Sequence, residues 1–217
     1  MFIGHFALAL AAKRVKPRVS LAAWFIAVEL ADLIWPVMLL LGLEHVRIAP
    51  GITAFTPLDF YDYPISHSLV AMTAWAVLFS GLSFFKRRNR PQDRDDAGIV
   101  SMLFGVAIVS HWVLDVIAHR PDMPVLPHGP YLGLGLWQSR SATLAVELTM
   151  FAIGLAVYVR TGVPGARRVS LWLLMAFLLV AYFAAAFGPP PPSVTAIAWT
   201  TLAMLLIVPW ARWADRP

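Results

Sequence analysis

The sequence predicts an all-α, polytopic membrane protein: six transmembrane helices preceded by a short, half-inserted N-terminal helix. Three observations predict it. Of 217 residues, 59% are hydrophobic and 13% charged, with a mean hydropathy of +0.71, which is too apolar for a water-soluble domain of this length. Several apolar runs reach or approach the roughly 20 residues that a helix rising about 1.5 Å per residue needs to cross the hydrocarbon core. The charges gather in short clusters between those runs.

The first apolar segment, 1–12, is too short to cross and reads as half-inserted or re-entrant. Its basic residues (Lys13, Arg14, Lys16, Arg18) follow it, the reverse of a cleaved secretory signal, so the segment is expected to be retained. Full spans are expected at 20–43, 64–85, 97–117, 141–159, 169–187 and 193–208, each bounded by charges, proline or glycine. Pro189 to Pro192 make a rigid turn between the last two. The chain shows no repeat and reads as one membrane domain, with 1–160 as its core and 161–217 as two scaffold spans. In the loop 118–140, Pro121, Pro124, Pro127 and Pro130 recur every third residue. That spacing suits a stiff polyproline-II-like strap over a site, or an ordinary outer loop with interfacial aromatics.

Basic residues give the orientation. Fourteen of the seventeen, including Arg160, Arg212 and Arg216, fall on alternate loops, against Arg47, Arg120 and Arg140 on the other side. The positive-inside rule then puts the larger set and the C-terminus in the cytoplasm, with loops 44–63 and 118–140 outside. The net charge of +5, distributed in this way, fits an anionic lipid surface and not a nucleic acid. The chain has no cysteine, so a metal would have to be held by imidazole and carboxylate.

Spans 169–187 and 193–208 contain no Asp, Glu, His, Lys or Arg. The earlier segments carry His5, Glu29, Asp32, His67, His111, Asp115 and Glu147. Ionisable side chains are expensive in a bilayer and need compensating partners. His111, Asp115 and His119 lie at i, i+4 and i+8 and share a helix face. Counting residues from each end of the spans brings most of the set into the outer half of the membrane, with His5 and Asp32 nearer the middle. Each has a plainer reading. His5 alone suits a hydrogen-bonded packing residue, Asp32 and Glu29 suit partners on a neighbouring helix, and His67 suits an interfacial position. His111 with Asp115 makes a self-contained pair, and Glu147 suits a polar crevice. One metal cluster supplies all of them with a partner at once. His119 precedes Arg120-Pro121, where the helix is expected to end, so it acts from the loop or faces water.

Imidazoles with carboxylates suit zinc, and also manganese or iron, as one or two ions with a position left open for water. Such a metal lowers the pKa of water to about 7 and polarises a phosphoryl oxygen. Asp115, one turn from His111, is the natural bridge between two ions.

Four motifs then occur in order: Gly4-His5, Ala31-Asp32-Leu33-Ile34-Trp35-Pro36, Ile65-Ser66-His67-Ser68, and Ser110-His111-Trp112-Val113-Leu114-Asp115. Over about the first 140 residues this order resembles the bacterial inner-membrane metal-dependent hydrolases, a group largely of unknown function. These carry an early GH, a PDxDH-type, an HRGxTHS-type and an SHxxxD-type segment. They are distantly similar to the zinc-dependent phospholipase C and P1 nuclease class. The resemblance implies metal ligation by His5, Asp32, His67, His111 and Asp115. Two positions depart from it: Ile34 stands where the second acid of the PDxD-type segment would be, and Asp62-Tyr63 replaces the His-Arg of the HRGxTHS-type segment. Asp62 keeps a ligating side chain and Ile34 does not, so either one metal site is altered, with Glu29 or Glu147 compensating, or activity is lost.

The expectation is a membrane-embedded hydrolase of phosphoesters, acting on a lipid or lipid-linked phosphate, with Glu147 or His119 as general acid or base. Two other classes fit the same residues. One is a transporter or proton relay, though inverted repeats and paired broken helices are not visible. The other is a non-catalytic protein whose metal ties helices together.

Overall fold

A computed structural model describes residues 1–160 and 167–215; Arg216, one of the basic set, and the start of the 161–217 scaffold region lie outside the described residues. The fold is all-α and membrane-spanning. In chain order the helices are α1 (Ile3–Val15), α2 (Leu21–Val28), α3 (Leu30–Leu40), α4 (Pro64–His67), α5 (Leu69–Arg88), α6 (Ala97–Ala118), α7 (Arg140–Val159), α8 (Arg168–Phe187), α9 (Val194–Ala203) and α10 (Ile207–Ala214). Four helical stretches, α5, α6, α7 and α8, and the continuous run Val194–Ala214 are long and apolar enough to cross a bilayer. The pair α2 and α3, bent by 56°, is long and apolar enough when taken together, as one broken span or a re-entrant loop. Helix α1 is the short N-terminal element.

Serines set several helix starts. Ser20, Ser68, Ser139 and Ser193 each accept a hydrogen bond from the backbone N–H three residues on, satisfying one orphan donor for about 1 kcal/mol apiece. Large apolar residues such as Val77 and Leu82 on α5, Val106 on α6 and Val180 on α8 are exposed. On a water-soluble protein so much apolar surface would be a liability, whereas here it meets lipid.

Three expected elements are corrected. The span 20–43 is broken: the turn at Glu29 separates α2 from α3, and the bend carries Asp32 toward α4 and α6. The span starting at 64 is also broken, because Ser68 has extended backbone (φ −68°, ψ 146°) between α4 and α5. The loop 118–140 is not a continuous polyproline strap, since β3 (Met123–Pro124) pairs antiparallel with β4 (Tyr131–Leu132). The loop 44–63 likewise contains a hairpin, β1 (His45–Ile48) with β2 (Leu58–Asp62), pairing Arg47 with Asp59.

Helix α1 lies along α7 and packs on α2, and α5 lies along α6. Small residues allow the first contact. A Cβ on Gly154 would overlap the backbone carbonyl of Ala7, so only glycine lets the two helices approach this closely. Two apolar cores result. One joins α1, α2, α7, α8 and α10; the other joins α3, α6 and α9 with the hairpins.

The end rich in basic residues is closed by a buried polar knot. Lys13 donates to Asp215 (2.7 Å) and to the Val19 carbonyl (2.8 Å), while Leu21 N–H and Tyr158 O–H also donate to Asp215. Beside it Arg87 donates to Asp96 (3.0 Å). That bond, helped by Lys16, holds the Asp96 carboxyl below its ordinary pKa.

Candidate metal centre

The five residues expected as ligands arrive from four helices and meet where the two cores adjoin. His5 comes from the buried face of α1, Asp32 from just past the bend in α3, His67 from the last position of α4, and His111 and Asp115 from one face of α6. Asp115 is the hub. One of its oxygens, Oδ1, lies 3.1 Å from His5 Nε2 and also meets the Met1 amino group. The other, Oδ2, lies 3.2 Å from His111 Nε2 and 3.9 Å from His67 Nε2. Asp32 closes the other side, 3.4 Å from His67 Nε2 and 3.8 Å from His111 Nε2. The His5 and His111 rings stack at 3.8 Å. Two triplets therefore have ligand atoms within 4.8 Å of one another: His5, His111 and Asp115, and Asp32, His67 and His111.

Each imidazole presents Nε2 inward, and three have the other nitrogen held. His111 Nδ1 lies 2.6 Å from the Val28 carbonyl, His67 Nδ1 lies 2.7 Å from Ser66 Oγ, and His119 Nδ1 lies 2.9 Å from Asp122 Oδ1. A carbonyl or carboxylate on Nδ1 fixes the tautomer that leaves Nε2 as a lone pair, the arrangement usual for metal-ligating histidine. Ser66 is itself fixed by Glu44. That carboxylate accepts from Ser66 O–H (2.6 Å) and from the N–H groups of Ile65 and Ser66.

The donor set fits a divalent metal ion. Buried polar atoms normally find hydrogen-bond partners, yet His111 Nε2, wholly buried, has none. It faces two carboxylates at separations longer than or misaligned for hydrogen bonds, as ligands around a shared cation would be. Two carboxylates with several neutral imidazoles suit zinc, manganese or iron.

The remaining candidates lie around this cluster. His119, expected to act from a loop or face water, caps the end of α6, is buried, and has Nε2 4.0 Å from Asp115 Oδ2. Burial lowers its pKa below the ordinary imidazole value, against the opposing pull of Asp122 and Asp115. Tyr63 O–H reaches Asp122 at 3.3 Å, and Trp137 packs on the His119 ring at 4.2 Å between centroids. Gly135 N–H donates to the His119 carbonyl, so the second hairpin loop does cover this side. Glu147 accepts from the N–H groups of Phe2 (2.8 Å) and Gly4 (3.2 Å), holding the start of α1 and with it His5. Its other oxygen, Oε1, is buried without a hydrogen-bond partner. Asp62 stands apart on β2, paired at 2.7 Å with exposed His45, and Ile34 packs at the second apolar core.

Sequence reasoning missed Glu44, Asp122 and Tyr63. All three sit in what reads as polar loop, where an acid or a tyrosine is unremarked. The available signal was the adjacency of Ser66 to His67 and the i, i+3 spacing of His119 and Asp122.

Fold and site together define a class: a polytopic helical membrane protein with a buried His/Asp cluster able to coordinate metal. No family model, curated protein or solved structure matches the chain.

Proposed function

We propose that the chain is a membrane-embedded, metal-dependent hydrolase of phosphoesters, and a relative of the bacterial inner-membrane metal-dependent hydrolases that its four motifs resemble. The observation that carries this reading is the convergence of four Nε2 atoms on Asp115, three of them with Nδ1 held by Val28, Ser66 and Asp122. A purely structural polar knot has no need of so many inward-facing lone pairs.

His5, Asp32, His67, His111 and Asp115 would hold one or two ions. When bound, the metal would supply an activated water and polarise a phosphoryl oxygen. His119 is placed to move a proton: its Nε2 faces the cluster, and Asp122 orients the ring. Glu147 fixes α1 through the backbone of Phe2 and Gly4 and so positions His5. Tyr63 and Trp137 close the His119 side against water. With the basic loops in the cytoplasm, the centre would open toward the outer side of a bacterial inner membrane.

The test is hydrolysis by detergent-purified protein. Turnover of a phosphomonoester or phosphodiester is expected to vanish with EDTA and return with zinc, manganese or iron. His119→Ala is expected to cut kcat by about 10²-fold or more while metal content holds, and Asp122→Asn to lower kcat more than it changes KM. No turnover by metal-replete protein on any phosphoester would refute the reading.

One observation favours a proton relay instead. Ion pairs run from Asp115 through His119, Asp122, Arg120 and Asp59 to Arg47 on the exposed first hairpin; the arginines stay protonated and hold His119, Asp122 and Asp59, the groups that can exchange a proton, in line. Proton flux in proteoliposomes that depends on Asp32 and His111, without hydrolysis, would select that function.

A further inference from the structure

The cluster has one open edge. His5, His67, His111 and Asp115 side chains are at most 6% exposed, whereas Asp32 is 32% exposed. A reactant reaching the centre on that edge passes Asp32. What lies beyond Asp32 is not a water-lined channel but a cavity of about 310 Å³, within the range of small-molecule sites, formed between α1–α3 and α8–α10. Its wall includes Phe25, Leu33, Ala181, Ala185, Thr200 and Met204, and its two acidic residues are Asp32 and Glu29. Glu29 is buried, and its Oε1 has no hydrogen-bond partner, a second sign that this end awaits a polar group. Ala185 and Thr200, which also line the cavity, are exposed on helices apolar and long enough to cross a membrane.

We propose that this cavity is the binding chamber for the alkyl chain of an amphiphilic phosphoester, which slides in from the bilayer between α8 and α9 and sets its head group at Asp32. This rests on reading the centre as a phosphoester hydrolase. The gradient argues for it: apolar wall toward lipid, carboxylates toward the cluster. Two carboxylates would repel a phosphate unless a cation stood between them, so the polar end accepts this head group only with metal in place. Residues 169–187 of α8, together with α9, carry no charged side chain and read as scaffold in the sequence; here they become the wall that selects the chain. Ala181 and Ala185 are small where larger residues would fill the space.

The experiment uses a diazirine-bearing dodecyl phosphate as a photo-crosslinker on purified, metal-replete full-length protein, with the modified peptides mapped by mass spectrometry. Labelling is expected to concentrate on the chamber faces of α8 and α9 and to fall with excess dodecyl phosphate but not with butyl phosphate. Ala185→Trp fills the chamber and is expected to reduce that labelling about tenfold or more. Should this variant misfold, the wild-type competition still decides. Labelling spread equally over outward residues of α5 such as Val77 and Leu82, or indifferent to dodecyl phosphate, overturns the chamber. The two readings fail separately. Localised, competable labelling with no phosphoester turnover keeps the chamber and removes the hydrolase, whereas turnover of butyl phosphate without localised labelling does the reverse.

Discussion

Ser66 shows how much of the candidate centre is built outside the candidate ligands. Its hydroxyl donates to Glu44 and lies 2.7 Å from His67 Nδ1, so it links a buried acid in the loop 44–63 to the imidazole of His67, a candidate ligand. Partners of this kind typically affect metal affinity by about 10–100-fold. Ser66→Ala is therefore expected to weaken metal binding by that factor, read by titration against a competing chelator, with the helical signal unchanged. An unaltered affinity would mean that His67 is held by packing alone. The ligand candidates themselves were legible because each is an ionisable residue inside an apolar run, where its cost demands a partner. Glu44 and Asp122 were not, because a loop acid costs nothing until the loop folds over it.

At the level of elements, α1 is the piece most easily lost. It is too short to cross a membrane, yet it carries His5, and it is held by Glu147 at its start, Gly154 along its length and Lys13 at its end. Lys13 and Asp215 are both buried, and removing one partner of a buried pair leaves an uncompensated charge that typically costs about 3–5 kcal/mol. Lys13→Met is expected to lower the thermal midpoint in detergent accordingly, and to release His5 and metal along with it. Unchanged stability would show that Leu21 and Tyr158 suffice for Asp215. The helices themselves were readable from length and hydropathy, and α6, α7 and α8 begin and end within a residue or so of expectation. Their breaks were not. Neither Glu29 nor Ser68 is the glycine or proline that marks an interruption, and each break serves distant contacts: Asp32 turning toward α4 and α6, and His67 held by Ser66 and Glu44. The hairpins, with strands of four and five residues in the first and two each in the second, are too brief for an alternating pattern to declare itself.

Across the described residues, up to six crossings and two hairpins surround one costly object, a set of buried imidazoles and carboxylates able to hold a metal ion. The sequence places the ionisable residues of the apolar spans before residue 150 but cannot show that α8 to α10 help to enclose the approach to Asp32, because apolar residues carry no mark of what they face. The proposed hydrolase chemistry depends on metal. The direct measurement is the transition-metal content of detergent-purified protein and its variants. Wild-type protein is expected to carry about one or two ions per chain, His111→Ala and Asp115→Ala to lose them, and His45→Ala, on the exposed hairpin, to retain them. Wild-type protein free of stoichiometric metal, or His111→Ala and Asp115→Ala variants with unchanged content, would contradict the account.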